Sequence, residues 1–165
     1  GFDVLDEVAR HHAASQPKAK FEAAVAQADI NGQRVLLLWP QTFMNLSGSS
    51  VGKAFEYYHL NLDDLLLVCD DFHLPLGKLR FRAKGSAGGQ KGLADVIRRL
   101  GTEEFCRLRV GVGPVPEYAD PADFVLGKFK RREGAEIEAV VLSAASGVTE
   151  WISRGIDHCM NQYNA

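Results

Sequence analysis

The fold of this chain is constrained most by one stretch of sequence. In it, a short apolar run is followed by a polar loop and then by an amphipathic helix. Val35–Leu38 is apolar and opens on a β-branched residue, as is typical of a buried strand. The loop Trp39–Gly48 follows it, and the next apolar residues recur at helical spacing: Val51, Ala54, Phe55 and Tyr58. In open α/β sheets, ligands bind at the carboxyl ends of the strands. We therefore expect this loop to lie at the ligand-binding edge of a sheet.

Asn45 is the residue of this loop whose chemistry best suits ligand recognition. Its amide donates and accepts hydrogen bonds at once, which matches a peptide-like group. The alternative is that Asn45 or Ser47 only caps the helix that follows, since both residue types are favoured at that position. The residues of the loop alone leave both interpretations open.

The rest of the chain continues the alternation of strands and helices. Asn31-Gly32 is a strong two-residue hairpin signal, between a strand at Lys20–Ile30 and its return at Gln33–Trp39. Leu65–Cys69 is a continuous apolar run, typical of a central strand buried on both faces, and Asp70-Asp71 follows it at the ligand edge. The other predicted elements are a first helix at 1–15, a strand with one basic face at Lys78–Arg82, a strand at Phe105–Val112, a helical turn at Ala122–Leu126, and a long helix at Glu133–Arg154 before a loosely held tail at 161–165.

Chain length and cysteine spacing indicate one globular domain in a reducing compartment. A chain of 165 residues has the size of a single domain, so residues 1–165 are expected to form one unit. No apolar run approaches the length of a membrane span. Cys69, Cys106 and Cys159 are widely spaced and form no CxxC pair, which indicates neither a zinc site nor a disulfide framework. The cytoplasm is the expected compartment.

The net charge of −2 hides a strongly basic middle segment. Residues 1–75 carry five Lys and Arg against ten Asp and Glu, residues 76–132 carry thirteen against six, and residues 133–165 carry one against five. A basic segment of +7 inside an acidic chain predicts a localised surface for a polyanion. Solvated basic faces without a ligand are the alternative, which charge alone favours.

Glycine is concentrated between Gly85 and Gly92, directly before a predicted helix. Such a loop permits unusual backbone angles and the close approach of a ligand, and the helix start offers N–H groups to an anion. The spacing fits neither a Walker loop nor a dinucleotide fingerprint. A mobile surface loop would have the same composition, so this motif alone is a weak signal.

Five blocks of sequence occur along the chain in a characteristic order. They are Phe43–Gly48, Asp70 with Leu74-Pro75, Gly88–Leu93, Arg107–Gly113 and Asp123–Gly127. Together they resemble bacterial-type peptidyl-tRNA hydrolase, and the resemblance runs from Gly1 to the end of the last helix. The TFMNLSG and RLRVGVG blocks are specific, whereas the glycine loop is less so.

The resemblance implies an esterase. Enzymes of this family cleave the ester between a peptide, or an N-blocked amino acid, and the terminal ribose of tRNA, and so recycle tRNA from aborted translation. The implied fold is a single α/β domain with a twisted mixed sheet sandwiched between helices, acting as a monomer in the cytoplasm. The implied partner is tRNA, and no DNA, membrane, metal or organic cofactor is expected.

The resemblance also implies catalytic roles by position. Asp70 matches the carboxylate that holds the catalytic histidine in its basic form, which is the base-plus-orienter arrangement of acyl-transfer sites. Asn45 matches the amide that binds the substrate at the reacting centre. Phe43 lies in the same tRNA-contacting block.

Basic residues match the tRNA grip of the family. Arg109 matches a residue that binds the acceptor-end phosphate, and Arg80 and Arg82 extend the patch on the neighbouring strand. Gln90 and Lys91 stand where the family often has histidine and asparagine, so their loop departs from the family pattern. Lys91 is a candidate phosphate contact instead, as a point charge.

The largest departure from the family pattern lies at the start of the chain. The family begins with a further buried strand, a Gly-Asn-Pro-Gly-like loop and the catalytic histidine, all before the position of Gly1. His11 and His12 do not replace that histidine, because both fall beyond the start of the first helix. We therefore expect residues 1–165 to lack the general base and to leave neighbouring strand edges open. A catalytically silent tRNA- or RNA-binding relative is the alternative to an enzyme recorded without its first strand.

Overall fold

The computed structural model of the chain describes residues 1–114 and 134–164. The predicted turn at Ala122–Leu126 and the Asp123–Gly127 block lie outside these residues. None of the described helices is long and apolar enough to cross a membrane. The helices and strands are α1 (Phe2–His11), β1 (Lys18–Lys20), β2 (Ala23–Ile30), β3 (Gln33–Pro40), α2 (Ser47–Tyr57), β4 (Leu66–Pro75), β5 (Leu79–Arg82), α3 (Lys91–Leu100), β6 (Cys106–Gly113), α4 (Gly134–Arg154) and α5 (Ile156–Tyr163).

The described strands form two three-stranded sheets. Strands β1, β2 and β3 are antiparallel in that order, and Ile30 pairs with Gln33 across the Asn31-Gly32 turn, so the predicted hairpin is confirmed. In the second, mixed sheet, β6 lies between β4, to which it is parallel, and β5, to which it is antiparallel. The hairpin thus directs the end of β3 into the loop that carries Asn45.

One hydrophobic core joins the two sheets into a single α/β domain. Because side chains alternate along a strand, Phe81 and Leu108 of the mixed sheet point into this core, where they join Ile30 of the first sheet and Ala144 of α4. The opposite face of the mixed sheet carries Cys69 and belongs to a second cluster with residues of α3. The mixed sheet therefore lies between helices, as the resemblance implied.

Strand β4 differs from the prediction in its length and its position. Pairing with β6 continues as far as Pro75, with an irregular register between Asp71 and Pro75, so Asp70 and Asp71 lie within the strand rather than after it. Among the described strands β4 is also an edge strand, and Leu66–Val68 is only half-buried. Residues of β4 pack in both hydrophobic clusters, as the apolar run predicted, and within the described residues its paired neighbour is β6.

The end of the chain is held, contrary to the expected loose tail. Gly155 ends α4 with a φ of +86°, and α5 follows directly. The side-chain Oδ1 of Asn164 accepts the N–H of Phe81 at 2.7 Å, and its Nδ2 donates to the carbonyl of Phe81 at 2.9 Å. Since β5 is an edge strand among the described strands, this amide takes the place of a further strand beside the fully buried Phe81.

We expect Asn164→Ala to lower the free energy of unfolding by about 1–3 kcal/mol, because two backbone groups of a buried residue lose their partners. Urea denaturation measures this difference. Asn161→Ala is the matched control, since Asn161 lies on α5 with its side chain exposed. Equal stability of the two variants would show that the Asn164 amide does not hold β5.

Candidate active site

Asp70 projects from β4 toward the side of the mixed sheet that faces α1. Its carboxylate is 31% exposed, and Oδ1 lies 2.8 Å from the nitrogen of Gly1. A cavity of about 40 Å³ adjoins it, with Val4, Val110 and Val140 in the lining. This cavity is large enough for water, and its other walls are mainly apolar. The arrangement suits a carboxylate that orients a neighbouring polar group.

The thiol next to Asp70 is not a candidate nucleophile. Cys69 is buried, and burial raises the pKa of its thiol to about 11. Since the thiolate is the nucleophilic form, this thiol is inert at neutral pH. The chemistry of the site is therefore not that of a cysteine hydrolase.

Five histidines belong to the chain, and none of them forms a hydrogen bond with Asp70 in the described structure. His12 packs on α4, where its Nε2 lies 2.9 Å from the hydroxyl of Thr149, and burial lowers the pKa of this imidazole. His158 is held 2.6 Å from a carboxylate oxygen of Glu150. The other three are exposed: His11, His59 and His73.

The loop that carries Asn45 presents its side chains to solvent. Residues Met44–Leu46 form a 3₁₀ turn between β3 and α2, and Phe43 before it is 81% exposed. Asn45 is exposed, and its side chain makes no hydrogen bond with any described residue. The N-cap of α2 is Leu46, and no side chain caps it, so the alternative of a simple capping residue is wrong for both Asn45 and Ser47. The Ser47 hydroxyl instead donates to the carbonyl of Met44 at 2.8 Å.

The glycine-rich loop meets the Asn45 loop through Gln90 and Gly92. The Gln90 side chain caps α3 by accepting the N–H of Leu93 at 2.6 Å, and its Nε2 lies 3.6 Å from the sulfur of Met44. A Cβ on Gly92 would lie 2.6 Å from that sulfur, so a larger residue would require the Met44 side chain to move. Lys91, between them, is exposed on the first turn of α3. The structure thus brings Lys91 and the Asn45 loop together.

Arg109 is engaged within the protein rather than free at the surface. Its side chain is only 12% exposed; Nη1 lies 3.4 Å from Oδ2 of the buried Asp71, and Nη2 donates to the carbonyl of Ser86 at 2.7 Å. A Cβ on Gly88 would lie 3.0 Å from the same guanidinium. Arg109 therefore anchors the glycine-rich loop to β6, a contact that sequence analysis did not indicate.

Arg107 anchors the start of the same loop and is completely buried. Its guanidinium donates to the carbonyls of Gly85, Glu103 and Phe105. In the described part of the chain it has no carboxylate partner, and burial lowers its pKa. This anchoring role was not predicted from the sequence, because the alternation of Arg107 and Arg109 along β6 does not reveal burial.

Arg80 and Arg82 extend the basic face of the mixed sheet. Across the β5–β6 pair Arg80 lies opposite Arg109, and Arg82 lies opposite Arg107, so all four side chains leave the same face. Arg80 and Arg82 are exposed. Like charges directly opposite each other destabilise a sheet, which favours a function for this face over chance.

The predicted site residues fall into two groups. Because Asp70 and Asp71 are neighbours on a strand, Asp70 faces α1 while Asp71 faces the arginines. No hydrogen bond joins Asp70 to Asn45 within residues 1–114 and 134–164. A series of contacts does, however, run from Asp71, the sequence neighbour of Asp70, through Arg109 to the glycine-rich loop and on to the turn that carries Asn45.

Comparisons with known proteins show the family of the chain. The family model described as peptidyl-tRNA hydrolase matches residues 1–165. The chain is 44% identical over 165 residues to a peptidyl-tRNA hydrolase of Rhodopirellula baltica, with 100% of this chain and 87% of the relative covered. It is 40% identical over 164 residues to a peptidyl-tRNA hydrolase of Chlorobium phaeobacteroides, with 99% and 87% covered.

Solved structures of such enzymes share the fold. A crystal structure of a peptidyl-tRNA hydrolase in complex with N-propanol has a TM-score of 0.92 at 29% identity, covering 100% of this chain and 84% of that chain. Peptidyl-tRNA hydrolase from Acinetobacter baumannii has a TM-score of 0.91 at 28% identity, with 99% and 84% covered. On the match of its whole length and the identity to these relatives, the chain belongs to the peptidyl-tRNA hydrolase family.

Proposed function

We propose that this protein hydrolyses the ester that joins a peptide, or an N-blocked amino acid, to the terminal ribose of tRNA. The observation that carries the proposal is family membership over all 165 residues, with Asp70 and Asn45 at the matched positions. The relatives, which share the name of the enzyme, lend no support to a silent RNA-binding protein. We further propose that the protein acts as a cytoplasmic monomer, using protein groups and water only.

The general base in this proposal is a histidine oriented by Asp70. The resemblance puts that histidine in a segment that precedes Gly1 in the family. The placement of the five histidines away from Asp70 supports this assignment.

The proposed reaction is one hydrolytic substitution at the ester carbonyl. The histidine takes a proton from water, the water oxygen attacks the carbonyl carbon, and the bond to the ribose oxygen breaks. The proton then passes from the histidine to the ribose oxygen. The carboxylate of Asp70 stabilises the intermediate imidazolium, and the exposed amide of Asn45 donates to a carbonyl of the peptide.

The tRNA is gripped, in this proposal, by the arginine face and the exposed loops. Arg80 and Arg82 offer free guanidinium groups to phosphates, while Arg109 fixes the loop between them and the reacting centre. Lys91 supplies a point charge beside the Asn45 loop. Phe43, which is 81% exposed, offers a ring on which an unpaired base can stack.

The assignment of the base predicts the activity of the 165 residues by themselves. We expect them to hydrolyse N-blocked aminoacyl-tRNA roughly 10²–10⁴-fold more slowly than a chain extended by the family's histidine segment, as is typical for loss of a general base. Single-turnover hydrolysis of both chains measures the ratio. Full turnover by the 165 residues would contradict the assignment.

Asp70→Asn in the extended chain should leave the fold intact and lower kcat by roughly 10²–10⁴-fold, because the amide no longer holds the histidine in its basic orientation. The affinity for tRNA should be nearly unchanged, since Asp70 faces away from the arginines. Asp63→Asn is the matched control, because Asp63 is exposed in the turn before β4. Loss of tRNA binding with normal hydrolysis of a small ester would refute the role of Asp70.

The arginine face predicts a steep loss of tRNA affinity with added salt, because each neutralised phosphate releases counterions. We expect Arg82→Ala to lower the affinity and to reduce the slope of log affinity against log salt by about one. Arg109→Ala should also lower the affinity, since it releases the glycine-rich loop. The control is Arg34→Ala, an exposed arginine of β3 on the other sheet. Slopes and affinities equal to the parent in both variants would remove these arginines from the tRNA site.

A further inference from the structure

Asp95 is a buried carboxylate with no role in the mechanism described above. It lies on α3 and is only 6% exposed, which is rare for an aspartate unless it is paired. Its Oδ1 accepts two hydrogen bonds from Arg98, at 2.5 and 3.1 Å. Its Oδ2 accepts the backbone N–H of Gly48 on α2 at 2.7 Å. The carboxylate thus bridges its own helix and the helix that follows the Asn45 loop.

The N–H that Asp95 binds belongs to the first turn of α2. The first four N–H groups of a helix have no partner within the helix, and the N-cap residue Leu46 offers no side chain to satisfy them. Asp95 supplies the missing acceptor from a different helix. Its negative charge also suits the positive end of the helix dipole. Gly48 comes three residues after Asn45, so the bond to the carboxylate holds the backbone directly after the turn that carries Asn45.

The two helix starts interlock through glycines on both sides. A Cβ on Gly48 would lie 2.4 Å from the backbone oxygen of Asp95, and a Cβ on Gly92 would lie 2.6 Å from the sulfur of Met44. The first distance excludes any side chain, because the atom it meets is backbone, whereas a residue larger than Gly92 would require the flexible Met44 side chain to move. The loops that carry Asn45 and Lys91 therefore have a defined relative position.

We propose that Asp95 is a positioning residue of the active site: its bond to the Gly48 N–H holds Asn45 in register with the Lys91 loop for reaction. This proposal rests on the proposed function, in which Asn45 binds the peptide next to the scissile ester. Asp95 itself is buried and does not touch the substrate. It acts through the backbone of the first turn of α2.

Two variants separate positioning from simple loss of stability. Asp95→Ala removes the acceptor, so amide hydrogen exchange at Gly48 should accelerate, and kcat of the extended chain should fall on the order of tenfold or more with little change in KM. Asp95→Asn keeps an oxygen for the Gly48 N–H and should restore most of both properties. The matched control is Arg98→Ala, which removes the partner of Oδ1 but keeps the bond of Oδ2 to the Gly48 N–H; it should lower stability, because the buried carboxylate loses its counter-charge, while kcat and the exchange at Gly48 stay close to those of the parent.

A double-mutant cycle with Asn45→Ala completes the test. If Asp95 acts through Asn45, adding Asp95→Ala to Asn45→Ala should cost little further kcat, because the positioned group is already gone. A loss of kcat as large in that background as in the parent, or unchanged exchange at Gly48, would overturn the positioning role. Full activity of Asn45→Ala by itself would instead overturn the role given to Asn45 in the proposed function, whatever the exchange at Gly48.

Discussion

Pairing of β6 with a strand on each side is the interaction on which both the core and the candidate site depend. Hydrogen bonds to β4 and β5 determine which way each residue of β6 points. Leu108 and Val110 enter the core that joins the two sheets, and Arg107 and Arg109 leave the opposite face. The arginines hold the carbonyls of residues 85 and 86, so the position of the glycine-rich loop follows from the packing of the core.

Arg107 places a buried positive charge on the face of the mixed sheet that also carries Arg109, Arg80 and Arg82. Removing a guanidinium from water is costly, and here the cost is offset by backbone carbonyls and by the ring of Phe105, whose centroid lies 4.5 Å from the guanidinium carbon. Carbonyl dipoles satisfy the donors without cancelling the net charge. Arg109 differs, because Asp71 pairs with it. Among the described residues, Arg107 and the exposed arginines of β5 form no ion pair, so their charge on this face is not compensated by a carboxylate, which suits a polyanion.

Local sequence patterns predicted individual helices and strands, but they did not predict the contacts between elements that are distant in sequence. The Asn31-Gly32 hairpin, the strand β5 with its basic face and the long helix α4 depend on neighbouring residues, and each was predicted correctly. The contacts that build the candidate site join residues 38 and 47 positions apart, as in Asp71 with Arg109 and Asp95 with Gly48. Periodicity holds no information on such pairs. The identities of the site residues came from the resemblance, whereas their burial and partners required the fold.

The two faces of the mixed sheet constrain how a substrate can lie in the proposed reaction. Asp70 faces α1, while the tRNA grip faces α3 and the glycine-rich loop, so an ester that reaches both must pass the ends of the strands rather than lie on one face. The register of β4 becomes irregular directly after Asp71, which relaxes strict alternation at that end. The chain of contacts from Asp71 through Arg109 to the loop before α3 ends at Met44, the neighbour of Asn45. In the proposed reaction, the strand end where the two faces meet is therefore the place at which a carboxylate-oriented base and the Asn45 amide would act on one ester.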